Sequence, residues 1–138
     1  MKYVLDTNAV SALMKGDAQV VDRLRTTSKG EAAIPQPVIA EIAYGIERLP
    51  RSKRRSALED RFDLVLSELG RCPWTDAVSQ RFGAIKAALE REGRRIEDFD
   101  AAIAAHALAD EAILVTANLH DMARVPGLKV EDWASAKE

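Results

Sequence analysis

Residues 3–8, Tyr3-Val4-Leu5-Asp6-Thr7-Asn8, decide how the rest of the chain is read. Tyr3 to Leu5 is a short apolar, β-prone run, and it is followed at once by three residue types that favour helix caps. The pattern reads as strand, turn, helix. Ala9, Leu13, Val20, Val21 and Leu24 then supply apolar positions for helical segments broken near Gly16. Glu31 to Ile34 is a second, weaker strand. Pro35 and Pro37 punctuate it, and Pro37 is well placed in the first turn of a helix running to about Leu49, where Pro50 stops it.

Further on, Leu58, Phe62, Val65, Leu66 and Leu69 recur at spacings of three and four, the mark of an amphipathic helix ending at Gly70. Cys72 to Trp74 reads as a third, very short strand. Thr75 caps a helix carrying Val78, Phe82, Ile85 and Leu89, and Gly93 stops it. Asp98 or Asp100 opens an alanine-rich helix over Ala101 to Ala109, whose small side chains allow close packing. Ile113 to Val115 is a buried strand and Leu128 to Val130 a final short one. Alternation of strand and helix predicts an α/β domain with a mainly parallel central sheet. At 138 residues the chain is read as one domain, 1–138, without internal repeat or linker.

Composition narrows the class. The chain is 47% hydrophobic and 30% charged, which suits a globular protein rather than a disordered one. No apolar run is long enough to cross a bilayer, and the single Cys72 fits a reducing compartment, so the cytoplasm is expected. A net charge of −2 gives no general support to nucleic-acid binding. Two local clusters do: Arg48, Arg51, Lys53, Arg54 and Arg55, and then Arg91, Arg94 and Arg95, which suit either a phosphate backbone or a solvated surface.

Chemistry is concentrated in carboxylates. Open parallel sheets place their sites beyond the carboxyl ends of the strands, where Asp6 stands after the first one. Glu41 in the helix after strand two, Asp100 opening the alanine-rich helix and Asp121 after the Ile113 strand share that setting, so one crevice is expected to gather all four. Two carboxylates about 4 Å apart would repel by about 4 kcal/mol at an effective dielectric of 20, and a cation relieves this. An all-oxygen donor set suits Mg²⁺ or Mn²⁺ rather than zinc. Capping or plain exposure is the competing account of Asp6, Asp98, Asp100 and Asp121. Glu41 is harder to dismiss, since Val38, Ile39, Ile42 and Ile46 make its surroundings apolar. His106 is expected as an interior residue, His120 as a surface one, and Trp74 and Trp133 as core.

Four collinear segments, VLDTNAVSAL (4–13), PQPVIAEIAYGI (35–46), DFDAAIAAHAL (98–108) and LVTANLHDMARVPGLKVEDW (114–133), resemble the PIN-domain nucleases, most closely the VapC-type toxins. The resemblance implies a three-layer α/β sandwich and metal-assisted hydrolysis of an RNA phosphodiester. It makes Asp6, Glu41, Asp100 and Asp121 the acidic quartet, with Thr7, Asn8, Thr116 and Asn118 supporting it. Asp6 and Asp100 would be direct ligands of Mg²⁺ or Mn²⁺, Glu41 a ligand or the group that orients water, and Asp121 a more distant ligand; Asp98 could substitute or assist. A homodimer and a cognate antitoxin are also implied, the antitoxin tail lying along the Pro37–Leu49 helix, Tyr44 and the next amphipathic helix, with an Arg reaching the acids. Two other readings compete. A haloacid-dehalogenase-like phosphohydrolase also has an aspartate after its first strand, but its D-x-D pattern meets Asn8 here. A catalytically silent PIN-fold binding module would gain nothing from an acidic pocket facing RNA.

Overall fold

The computed structural model describes residues 2–134. Its strands are β1 (Tyr3–Leu5), β2 (Ala32–Pro35), β3 (Gly70–Cys72), β4 (Ile113–Val115) and β5 (Val130–Glu131). Its helices are α1 (Thr7–Met14), α2 (Ala18–Arg25), α3 (Gln36–Glu47), α4 (Lys53–Glu68), α5 (Asp76–Arg91), α6 (Asp98–Ala109) and α7 (Leu119–Met122). The strands form one parallel sheet in the order β3-β2-β1-β4-β5. This is the α/β sandwich expected from the alternation of elements.

That order contains a reversal. The chain moves outward from β1 through β2 to β3, then returns to the other side of β1 with β4. Right-handed crossovers therefore send the helices before and after the return to opposite faces of the sheet. Two layers of helix enclose strands that are short and apolar: Val4, Leu5, Ile34, Leu114 and Val115 are all buried.

Local signals explain most boundaries. Asp6 caps α1 by accepting from the Thr7 amide at 2.6 Å, Asp17 caps α2, Ser52 caps α4 and Thr75 caps α5. Gly16 and Gly93 adopt positive φ where α1 and α5 end, a conformation that glycine takes without steric penalty. Helix α6 is buried nearly all round, from Ala101 through Ala107. Its methyl-sized side chains let the sheet and α5 both approach it closely.

Several boundaries differ from expectation. The third strand is Gly70–Cys72 rather than Cys72–Trp74, because Cys72 already pairs with Pro35 at the end of β2 and Pro73 has no N–H to continue a ladder. Trp74 consequently lies outside the sheet and is half exposed instead of core. One side of its ring packs against Phe82 and His106, and its indole N–H donates to Ser79 Oγ at 2.6 Å. The last strand is Val130–Glu131, two residues later than Leu128 suggests, because its register is set by pairing with Leu114 and Val115. The second strand likewise runs one residue further, to Pro35. Helix α6 does open at Asp98, as expected, with Glu97 at the cap position.

Candidate active site

The strand order reverses at β1 and β4, and their carboxyl ends open on a common crevice, the position at which open α/β sheets bind ligands. Asp6 leaves β1 there and Thr116 leaves β4 beside it. The Asp6 amide donates to the Val115 carbonyl at 2.9 Å, locking the two exits together. Although only 4% exposed, Asp6 is fully engaged: Oδ1 accepts from the Thr7 amide at 2.6 Å, and Oδ2 accepts from Thr116 Oγ1 at 2.6 Å and Asn8 Nδ2 at 3.2 Å. A buried carboxylate is tolerated when hydrogen bonds replace its lost water, as they do here.

These partners form a network that reaches further. Asn8 Oδ1 accepts from the Ala117 amide at 2.8 Å, and Thr116 Oγ1 accepts from the Asn118 amide at 2.9 Å. The Thr7 hydroxyl donates to Glu41 Oε1, joining the first turn of α1 to α3. Thus Thr7, Asn8 and Thr116 orient the acids through side-chain bonds, and Asn118 contributes its backbone while its side chain lines the crevice.

Eight carboxylates line two adjoining cavities, among them the four singled out from the sequence. The first, about 750 Å³, is lined by Asp6, Glu41 and Asp100 together with Thr7, Asn8 and Asn118. The second, about 950 Å³, has Glu41, Asp100 and Asp121 in its lining together with Glu90, Glu97 and Asp98. Glu41 and Asp100 therefore stand on the shared wall, Asp6 on one side and Asp121 on the other. Asp100 registers the crowding directly: burial first, then the charges of Asp6, Glu41 and Asp121, push its carboxyl up to about 6. Asp98 also lines the second cavity but is engaged elsewhere. Its carboxylate is taken by Lys86 Nζ at 2.7 Å, and it is absent from the charges acting on Asp100.

The donor set fits a hard divalent cation. All the charged groups on the shared wall are carboxylates, and burial with the negative charges around it destabilises Asp100 as an anion. Among the described residues no three His, Cys, Asp or Glu side chains are gathered into a ready-made cage. Carboxylate oxygens are hard donors, and Mg²⁺ keeps several waters while taking one or two of them.

Other titratable groups stand apart. His106 is fully buried, with its ring edge-to-face with Trp74, and burial lowers its pKa. His120 is exposed and lines neither cavity. Cys72 is buried, and its thiol is pushed up to about 12 by burial and by Asp110, which removes it as a nucleophile. Trp133 is buried against Tyr3, as expected.

The cations divide unevenly. Within the first basic cluster Arg55 is held by Glu47 at 2.9 Å and Glu59 at 3.2 Å, while Arg48 lies over the Tyr44 ring. Of the second cluster, Arg95 lines the cavity that contains Asp121. Sequence reasoning missed Lys15 in the first cavity and Lys86 and Arg124 in the second. No spacing rule marks these three, because they reach the crevice from α1, α5 and the turn after α7.

The family model for the PIN domain matches residues 3–128. Among curated proteins, the chain is 33% identical to Ribonuclease VapC2 of Rickettsia felis, covering 96% of this chain and 98% of that one. It is 31% identical to the tRNA(fMet)-specific endonuclease VapC of Shigella flexneri, covering 97% and 99%. Among solved structures, VapBC2 from Rickettsia felis bound to a promoter DNA fragment superposes with a TM-score of 0.85 at 30% identity, over 96% of this chain and 99% of that chain. DNA-bound VapBC from Salmonella typhimurium gives 0.87 at 26%, over 96% and 98%. With the parallel sheet, the acids at its switch point and these likenesses all in agreement along the chain, this protein belongs to the PIN-domain family.

Proposed function

We propose that the chain, acting over residues 1–138 as one PIN domain, is a Mg²⁺- or Mn²⁺-dependent endoribonuclease and the toxin of a type II toxin–antitoxin pair. The observation that carries the reading is the crevice at the ends of β1 and β4, where Asp6, Glu41, Asp100 and Asp121 line adjoining cavities and raise the Asp100 carboxyl to about 6. Relatives named as ribonucleases and as a tRNA(fMet)-specific endonuclease support RNA as the substrate. Among the described residues no helix is long and apolar enough to cross a membrane; the cytoplasm is the proposed place of action.

Asp6 and Asp100 are the residues that would hold the cation, with Glu41 and Asp121 completing its surroundings directly or through water. A bound divalent ion supplies charge neutralisation at the phosphodiester and a water of lowered pKa. The chain supplies geometry. Thr116 and Asn8 fix the Asp6 carboxylate, and Thr7 fixes Glu41. Glu41, on the wall between the cavities, is the group placed to accept a proton from an attacking water. Lys15, the one cation among the residues lining the first cavity, is available to a phosphate oxygen.

A groove of about 710 Å³ adjoins the site through Thr7 and Glu41. Ile42, Ile46, Leu49 and Leu58 give it an apolar floor, with Arg54 and Arg61 among its walls. It suits the apolar face of an antitoxin segment, whose arginine would reach the acids; the solved relatives at 30% and 26% identity are VapBC2 and VapBC, each bound to DNA. Tyr44, on the same helix, is 65% exposed and extends the surface beside the groove. A homodimer is proposed with it.

The test is incubation of total RNA with wild type and Asp100→Asn, with and without Mg²⁺. Discrete fragments from wild type with metal, and none from the variant, are expected; equal fragment patterns from both proteins overturn the reading. A phosphohydrolase is disfavoured because Asn8, where a second acid would stand, is bonded to Asp6, Thr116 and Ala117. A silent binding module is disfavoured because an unneutralised acid pocket repels RNA.

A further inference from the structure

The cavity beyond the shared wall contains features that the hydrolytic groups do not use. Arg95 and Arg124 both line it, and among the described residues neither has a carboxylate partner. Arg124 is nonetheless held in place: its Nη2 donates to the Arg95 carbonyl at 3.0 Å and its Nε to the Asp121 carbonyl at 3.3 Å. One guanidinium is thereby fixed to the backbone that carries the other. Phe99 also lines the cavity and is 44% exposed, one residue before Asp100.

An exposed aromatic ring is an ordinary surface residue when isolated. Next to two unpaired guanidiniums, in a cavity continuous with the acid crevice, it matches what single-stranded nucleic acid requires. Cations track the backbone, and a ring offers a sequence-tolerant face for a base. The acids that share the lining are partly offset. Lys86 takes up Asp98 at 2.7 Å and lies 4.0 Å from Glu90, so those acids are at least partly neutralised. Glu41, Glu97, Asp100 and Asp121 also line the cavity, and a bound divalent ion would offset two of their negative charges.

We propose that this cavity is a nucleotide subsite for the RNA strand next to the cleaved bond, Arg95 and Arg124 holding a phosphate and Phe99 stacking on the base. The inference rests on the endoribonuclease reading. It assigns RNA to this cavity and leaves the apolar groove on the far side of Glu41 to the antitoxin.

Two measurements test it. Binding of a short fluorescein-labelled RNA of mixed sequence is followed by anisotropy on the Asp100→Asn background, which removes a negative charge and prevents turnover. Phe99→Leu should weaken binding about tenfold and Phe99→Tyr should leave it nearly unchanged. Arg95→Ala should lower the slope of log K against log salt by about 0.7, the share of one single-strand phosphate. In the active protein with Mg²⁺, the same substitutions should raise KM with kcat held within about twofold. Unchanged RNA affinity and KM in both Phe99→Leu and Arg95→Ala overturn the subsite. So does selective loss of antitoxin binding with RNA affinity intact, which assigns the surface to protein. If wild type cleaves no RNA, the nuclease reading fails by itself, and the anisotropy series still decides whether RNA occupies the cavity.

Discussion

Asp100 is the residue on which the electrostatics of the crevice converge. Its carboxyl is raised from the ordinary 3.8 to about 6 by burial and by Asp6, Glu41 and Asp121. A carboxyl with a raised folded pKa binds more protons in the native state than in the unfolded one. Between about pH 4 and 6 its contribution to stability therefore falls as pH rises, and at neutral pH the metal-free protein bears the cost. Asp100→Asn should stabilise the metal-free protein at pH 7 by on the order of 1 kcal/mol after allowance for solvent screening. That gain should shrink toward pH 4, as read by urea melts of both proteins across the range; a difference independent of pH would contradict the crowding. Mg²⁺ should raise the Tm of wild type at pH 7 and that of the variant far less. Thr116→Val removes the short donor to Asp6 Oδ2, and loss of such an orienting partner typically costs 10- to 100-fold in metal affinity or activity. Calorimetric Mn²⁺ titration beside cleavage rates would show whether the hydroxyl matters to that extent. Three of the four acids could be picked out of the sequence because each follows or opens an element. The state of Asp98, paired with Lys86 twelve residues earlier, depends on how α5 meets α6 and has no local signature.

At the scale of elements, α6 shows why an alanine-rich helix was chosen. It presents Asp100 at its first turn while the following residues are buried on every side. Ala104 is fully buried, so Ala104→Val must push α5 or the sheet away. It should destabilise by about 1–3 kcal/mol, and a second effect on cleavage should follow from displacement of Asp100. Equilibrium denaturation with single-turnover cleavage separates the two. Helix α3 has the opposite device. Gly45 lies inside it, at a cost of roughly 0.5–1 kcal/mol relative to alanine, with nothing within 4 Å of where a Cβ would stand. It lines the apolar groove beside Ile42 and Ile46, so the space is open for a partner. Helices were legible from their three-and-four spacing and caps. The strands β1 and β4 were placed to the residue, but β2, β3 and β5 were not, because short apolar runs carry no period and pairing decides where they start and stop.

For the whole molecule, the switch in strand order puts the acidic crevice, the cavity with Arg95 and Arg124 and the apolar groove around one carboxylate, Glu41, which lines all three. A partner lying in the groove therefore ends beside the acids, which is how inhibition by occupancy would work. Gly45→Leu narrows the groove without touching the crevice. It should leave cleavage intact, hold or raise Tm through better helix propensity, and weaken the antitoxin complex at least about tenfold by competition binding. Weakened cleavage with antitoxin affinity unchanged would separate groove from partner.

The sequence by itself determined the alternation of strand and helix, the caps, the apolar faces and the identity of the acids, since each of these is written in neighbouring residues through periodicity and capping chemistry. Only the tertiary structure decided that β4 returns beside β1, that Thr116 therefore donates to Asp6 across 110 positions, and that Arg95, Arg124 and Phe99 share a cavity. Those relations come from strand pairing and helix packing between distant segments, whose energies depend on the whole chain closing around one core rather than on any local pattern.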